Sequence, residues 1–272
     1  MERGEVGDVR KKRSKWAIPL VLLVVLVLLI IIAVVLGVTL TGRQSAGLKT
    51  DFLNRCQNFK GYDCENIWNT FKQVFVNRDP CNVSEEAYDP LIAAVPFKRL
   101  CNQTMLWSKT NKAVHELTTG RDCFRTIEDT VLGSSLNNLS WCGMKGSDET
   151  FTTGCPEWNE CVNNSVRSFW RRASAAFAEA ACGDVSVILN GSISTPFNPT
   201  SVFASIEVPR LNSTKVKSLN VVLVTNSVSN CSNASLQSLK TKLDQRIVYT
   251  CKEVTESQIT DCSAKPDCGR CW

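Results

Sequence analysis

The sequence predicts an α+β or α/β ectodomain, helical in its first half, with a small, mainly parallel sheet after it, rich in disulfides and preceded by one transmembrane helix. Three observations predict this class. A charge-free apolar run near the N-terminus is long enough to cross a bilayer, and all fourteen cysteines of the 272-residue chain follow it. The hydrophobic period then changes from helical to strand-like in the last third.

The apolar run covers residues 17–41, almost all Val, Leu and Ile. At about 1.5 Å per residue it spans the roughly 30 Å hydrocarbon core of a bilayer. Arg10, Lys11, Lys12, Arg13 and Lys15 precede it, with Trp16 at its edge, whereas only Arg43 and then Lys49 follow. The positive-inside rule makes residues 1–16 a cytoplasmic tail and places everything beyond the span outside the cell. A cleaved signal peptide is the competing reading; its apolar region is usually about 7–15 residues long and ends at a small-residue cleavage site, and neither condition is met. Eight N-x-S/T sequons lie on the same side as the cysteines, at Asn82, Asn102, Asn138, Asn163, Asn190, Asn212, Asn230 and Asn233. A single-pass type II plasma-membrane protein with an oxidised, glycosylated outer part is the expectation. The C-terminal "DCSAKPDCGRCW" has no apolar tail, which excludes a lipid anchor there.

Residues 42–50 read as a polar stalk. Beyond it, Ile67, Trp68, Phe71, Val74 and Phe75 form a stripe at helical spacing. Ser84 is placed to cap a helix whose first turn holds Glu85 and Glu86. The spacing predicts a helix over 105–117 and another over 163–182, where Val166, Phe169, Trp170, Ala173, Phe177, Ala180 and Ala181 line one side and Gly183 ends it. "VSVILNG" (185–191), "SVFASIEV" (201–208), "SLNVVLVTN" (218–226) and "RIVYTC" (246–251) read as strands, with a helix over 236–246. Near-continuous apolar strands separated by helix suggest a sheet covered on both faces. The outer part is long enough for one good core in one or two lobes.

Composition excludes several functions. The formal charge of +5 is mostly the cytoplasmic tail, so nucleic acid is not an expected partner. No phosphate-binding glycine loop follows a strand. The one histidine, His115, reads as a surface residue of the 105–117 helix and lacks the partners of a catalytic triad or metal site. Cys268-x-x-Cys271 fits a structural disulfide, with redox or zinc chemistry as the other reading. Carboxylates and aromatics remain. Glu207 sits in an apolar segment beside Phe203. Glu128 and Asp129 stand together in "TIEDT", where Thr126 and Asp129 also form a capping box. Trp170 and Ser174 share a helix face, and Trp107, like Trp170, fits either a site or a core.

These residues occur in "RDPCNVSEEAYDPL", "MLWSK", "TIEDTVLG", "LSWCG", "CPEWNEC", "SFWRRASAAFAEAACGDVSVILNGS" and "FASIEV". In that order the chain resembles the ADP-ribosyl cyclase / NAD glycohydrolase family of ectoenzymes, from Cys56 to Cys262 or beyond, and its anchor is similar to that of the family's type II lymphocyte-surface member. The resemblance implies a two-lobe fold: a helical lobe at about 51–100 and 126–181, and a sheet lobe at about 101–125 and 182–272. It assigns Glu207 as the catalytic carboxylate and Glu128 as the acid that biases hydrolysis over cyclisation. Trp107 and Trp170 match the indoles that hold nicotinamide and ribosyl; Ser108, Lys109, Asp129, Ser174 and Phe203 match neighbouring substrate-binding positions. It implies disulfides Cys56–Cys64, Cys81–Cys161, Cys101–Cys182, Cys142–Cys155 and Cys231–Cys251, with Cys262 joined to Cys271 or Cys268. Three positions depart from the family pattern: Lys109 replaces Arg, Val202 replaces Thr, and Asn111 replaces a Lys linked with opening the cyclic product. The implied activity is cleavage of NAD, and of NADP as a second substrate, with no cofactor and no metal. A homodimer and cell-surface protein partners belong to the same expectation. A receptor or adhesion ectodomain that keeps the fold without catalysis is the alternative.

Overall fold

The computed structural model describes residues 47–99, 101–119, 123–226 and 228–264, together with Leu23 and residues 25–32, which are helical. Most of the 17–41 segment lies outside the described residues. Among the described residues, no helix is long and apolar enough to cross a membrane. Residues 45–272 form one compact unit.

The unit begins with helices. The first, α1, covers residues 47–56, and α2 spans Cys64–Phe75. Asp63 caps α2 by accepting from the Asn66 N–H, and the stripe read from the sequence is its buried face. Phe71 is the hub of that face: Phe52 stacks on it at 5.7 Å, and Phe75 and Trp141 meet it edge-on. A 3₁₀ turn, Glu85–Tyr88, runs into the short helix α3, Asp89–Ala94. The Tyr88 hydroxyl accepts from the Trp141 indole at 3.0 Å and donates to the Ser165 carbonyl, so neither buried polar group is left unpaired.

Four parallel strands make the sheet, side by side in chain order. They are β1, Met105–Ser108; β4, Gly183–Asn190; β5, Val216–Val224; and β6, Val248–Val254. A separate hairpin pairs β2, Cys142–Met144, with β3, Ser147–Phe151. Alternation along the central strands divides the core. Val187, Leu189, Val221 and Leu223 join the helical side. Ile188, Val222 and Val224 pack with Met105, Val114, Leu117 and Ile259 on the other face. That second face is covered by α4, Asn111–Thr118, and α8, Glu256–Ser263. The sheet is thus buried on both sides, as parallel sheets are. The remaining helices are α5, Val131–Leu136; α6, Ser165–Ala180; and α7, Ala234–Lys242.

The structure corrects two elements. The sheet's fourth strand is not 201–208. That stretch is a π-helical turn, Phe203–Glu207, running into a 3₁₀ turn at Val208–Arg210. The segment satisfies two periods at once. Phe203, Ala204, Ile206, Glu207 and Val208 are buried and Ser205 is exposed, a helical stripe that alternation also fits in part. Local polar groups decide between them: the Asn198 side chain accepts from the Thr200 N–H, Ser201 Oγ accepts from the Ala204 N–H at 3.1 Å, and Ser205 Oγ donates to the Ser201 carbonyl. The second correction is at 105–117, which is not one helix. Residues 105–108 are the edge strand β1, paired with β4 so that Trp107 stands opposite Ile188. Lys109 breaks the chain direction with a left-handed φ of +58°, and α4 starts only at Asn111. Gly183 likewise opens β4, with φ +68°, where the sequence pattern made it a helix stop.

Five disulfides pair as the resemblance implied: Cys56–Cys64, Cys81–Cys161, Cys101–Cys182, Cys142–Cys155 and Cys231–Cys251. Cys123 and Cys262 are also disulfide-bonded, while Cys268 and Cys271 lie outside the described residues. Cys81–Cys161 and Cys101–Cys182 close loops of about eighty residues, where cross-linking restricts the unfolded chain most. The second also ties the entry to β1 to the end of α6.

Candidate active site

Parallel α/β sheets bind ligands at the carboxyl ends of their strands. The cleft lies there. Its volume is about 440 Å3, and its walls come from the end of β1, from α6, from the 3₁₀ turn Ile127–Asp129, and from the π-helical turn.

From β1 come Trp107 and Ser108, and Lys109 follows them. The end of β4 holds this corner: Asn190 Nδ2 donates to the Lys109 carbonyl at 3.3 Å, and Thr110 Oγ1 donates to the Ile188 carbonyl at 3.1 Å. From α6 come Val166, Trp170 and Ser174, three residues at i, i+4 and i+8 on one face. Asn164 starts that helix, accepting from the Arg167 N–H and donating to three carbonyls of the preceding loop. The π-helical turn contributes Phe203 and Glu207, four residues apart on one face, with Val202 beside them. Single π-helical turns often mark functional sites.

The 3₁₀ turn sets Glu128. Thr126 and Asp129 form the capping box read from the sequence: Asp129 Oδ2 accepts from the Thr126 N–H at 2.8 Å and from its hydroxyl at 2.9 Å. This turns Asp129 away and presents Glu128 to the cleft, where its Oε2 accepts from the Trp107 indole N–H at 3.3 Å. Gly133 lets α5 pass against the turn. A methyl group there would run into the Ile127 carbonyl and approach Glu128 Cα to 3.0 Å. Gly133→Ala is therefore expected to destabilise the ectodomain by about 2–3 kcal/mol in denaturant unfolding, because only backbone could yield.

Glu207 is only 6% exposed. Burial pushes its carboxyl from 4.5 to about 8; a hydrogen bond with Ser174 opposes the shift, and the Glu128 charge adds to it. A desolvated carboxyl facing a cleft walled by indoles suits a cationic group at the point where a bond breaks.

Of the sequence candidates, Glu207, Glu128, Trp107, Trp170, Ser108, Lys109, Ser174 and Phe203 line this one cleft. Asp129 does not. Its carboxylate is spent on the cap, and it faces a neighbouring cavity. Val202, the position where the family pattern has Thr, is in the cleft because the segment is helical; a strand would set it on the face opposite Phe203. Trp158, Leu139 and Asn138 also line it and were not singled out as site residues. Trp158 is 39% exposed, unusual for an indole, but exposure is not visible in a sequence. His115 is half-buried rather than fully exposed: its ring meets Trp107 edge-on at 6.2 Å, and its Nε2 is buried without a hydrogen-bond partner. Among the sequons, Asn82, Asn102, Asn138, Asn163, Asn212 and Asn230 are exposed. Asn190 and Asn233 use their amide nitrogens within the fold, on the Lys109 carbonyl and on Ser194 and Ser229. Asn138 stands at the cleft itself.

A family model described as ADP-ribosyl cyclase matches residues 45–271. The chain is 39% identical to the ADP-ribosyl cyclase/cyclic ADP-ribose hydrolase 1 of Rattus norvegicus over 70% of this chain and 65% of the rat protein. It is 35% identical to the Oryctolagus cuniculus protein of the same description, over 88% of this chain and 87% of the relative. Among solved structures, porcine CD38 complexed with a covalent intermediate, ribo-F-ribose-5'-phosphate, superposes with a TM-score of 0.72 at 36% identity, covering 76% of this chain and 96% of the porcine one.

Proposed function

This chain belongs to the ADP-ribosyl cyclase family, and on that premise we propose that it cleaves the bond between nicotinamide and ribose in NAD, releasing nicotinamide with ADP-ribose as the main product and cyclic ADP-ribose as the minor one. The observation that carries this reading is the buried Glu207 carboxyl in a cleft that also holds Trp107, Trp170 and Glu128.

The chemistry follows from the substrate's charge. Nicotinamide is a cation in NAD and leaves neutral, so no acid has to protonate it. The glycosidic electron pair departs with the pyridine ring, and the anomeric carbon becomes an oxocarbenium ion. Glu207 faces that carbon, either stabilising the cation or forming an ester with it, as in retaining glycoside cleavage. The porcine relative's capture as a covalent intermediate favours the ester. The indoles of Trp107 and Trp170 stack on the pyridinium and attract its charge, each by roughly 0.5–2 kcal/mol. Water then attacks the anomeric carbon to give ADP-ribose, or adenine N1 attacks to give the cyclic product. Ser174 holds Glu207 in place through its hydrogen bond. No step draws on a cofactor or a metal.

Glu128 acts on the partition. Bonded to the Trp107 indole, it lines the cleft wall beside the ring assigned to nicotinamide. Glu128→Ala is expected to raise the cyclic fraction roughly fivefold, the equivalent of one hydrogen bond of about 1 kcal/mol. The test is direct: the soluble ectodomain is incubated with NAD, and nicotinamide, ADP-ribose and cyclic ADP-ribose are resolved by chromatography. No nicotinamide release from the wild type would remove the reading, and an unchanged product ratio in Glu128→Ala would remove Glu128 from this role.

The same reading places the enzyme at the plasma membrane, anchored by residues 17–41 with its cleft outside. The disulfides support an oxidising compartment. A homodimer and NADP as a second substrate belong to this proposal.

A further inference from the structure

The turn that presents Glu128 to the cleft has a reverse side, and a second cavity of about 370 Å3 opens there. It shares no lining residue with the catalytic cleft. Its size falls within the ~300–1,000 Å3 typical of small-molecule sites. Four rings surround it, from Phe59, Tyr62, Phe97 and Phe177, and Phe97 meets Phe177 edge-on at 5.7 Å. Buried Val95, Val131 and Leu132 close its apolar side. The mouth is cationic. Lys60 and Lys98 are exposed at it, Arg125 is half-buried in the lining, and Lys98 Nζ stands 5.8 Å from the Tyr62 ring centroid. The one carboxylate of the lining, Asp129, has Oδ2 occupied by two hydrogen bonds from Thr126.

Rings without cations would suit a neutral hydrophobe, and cations without rings would suit a bare oxyanion. Two exposed lysines over four aromatic rings suit a ligand that carries both features. We infer that this cavity is a second ligand site, separate from the catalytic cleft, for a small aromatic anion: one or two fused rings held between the phenylalanines, with a carboxylate, sulfonate or phosphate at the lysines. The cavity stands against the framework of the active site without opening into it. Thr130 lines the cavity and its hydroxyl donates to the Ile127 carbonyl at 2.6 Å, so the wall of this site is the framework of the Glu128 turn.

Titration calorimetry of the ectodomain with 2-naphthalenesulfonate tests the assignment, with 2-naphthalenemethanol as the uncharged counterpart. The wild type should bind one equivalent of the sulfonate and bind the alcohol about threefold to fivefold more weakly, since the ion pair with the exposed lysines is lost. Lys60→Glu combined with Lys98→Glu should weaken the sulfonate by about tenfold or more while leaving nicotinamide release from NAD at the wild-type rate, because neither residue touches the cleft. Ala180→Trp, which fills the cavity from α6, should abolish binding. Saturating NAD on a Glu207→Gln protein should leave sulfonate binding unchanged. Absence of binding, equal affinity for the alcohol, binding that survives the double charge reversal, or displacement by NAD would each overturn the proposal. The titrations without NAD do not depend on turnover, so they stand whether or not the chain cleaves NAD.

Discussion

Glu207→Gln is expected to reduce nicotinamide release from NAD by roughly 10³-fold or more, the scale seen when a group that stabilises or traps the transition state is removed. The substitution keeps the shape of the protonated acid and can keep the hydrogen bond with Ser174. It removes only the negative charge at the anomeric carbon. The loss should therefore fall on kcat, with KM for NAD changed little, since the indoles that bind the pyridinium are untouched. Steady-state assay of released nicotinamide measures both. Near-normal turnover in a folded Glu207→Gln ectodomain would remove Glu207 as the catalytic carboxylate. The wild type should carry a matching signature. With the empty-cleft carboxyl pushed up to about 8, kcat/KM should rise with pH toward a limb near that value. Bound substrate brings a cation to the carboxylate, which favours its ionised form, so the limb in kcat should lie lower.

The same substitution is expected to stabilise the folded ectodomain at alkaline pH. The folded state raises Glu207 from 4.5 to about 8, so between those values the folded chain holds a proton that the unfolded chain has lost. Wild-type stability from this group is fully present below pH 4.5 and is lost as pH rises through 8. At about 1.4 kcal/mol per pH unit, the loss amounts to at most about 5 kcal/mol. Glu207→Gln carries no such charge and escapes the loss. The two proteins should unfold at similar denaturant concentrations near pH 4.5 and diverge by several kcal/mol by pH 8, with the variant the more stable. A constant difference across that range would contradict the buried, proton-holding carboxyl. A residue whose native form costs stability at the working pH is what a stability–function trade-off looks like at one position.

The Glu207 segment also shows how sequence and structure divide the information. The residue types were legible: one carboxylate between apolar neighbours, with a ring four positions before it. The conformation was not. In an eight-residue stretch, alternation and a helical stripe both place Phe203 and Glu207 on one face, so the site prediction survived a wrong element. Val202 needed the correction, because strand alternation would set it opposite Phe203, and only the helical turn brings it to the cleft beside that ring. Trp107 illustrates the same point. Its neighbours Met105 and Leu106 fit a helix or a strand, and pairing with Ser186 and Val187 on β4, more than seventy residues away, makes them a strand.

Asp129 marks the other limit. Its pairing with Thr126 was readable from the i, i+3 spacing of a capping box, and so was its place beside Glu128. That the cap consumes its carboxylate and turns it to a second cavity required the packing of α5, where Gly133 admits the Ile127 carbonyl at close range. Local pattern in the sequence was enough for most helices of the first half, for the apolar strands 185–191 and 218–226 to within two residues, and for much of the cleft's chemistry: two carboxylates and two of its three indoles. These are local or compositional properties. The tertiary structure alone decided which strand completes the sheet, which carboxylate is buried, and which faces solvent or a neighbour, because burial and long-range pairing are set by residues distant in the chain. Glu207 is chemically special for that reason: an ordinary glutamate in the sequence, its carboxyl is raised to about 8 chiefly by the desolvation that packing imposes, with the Glu128 charge adding to it.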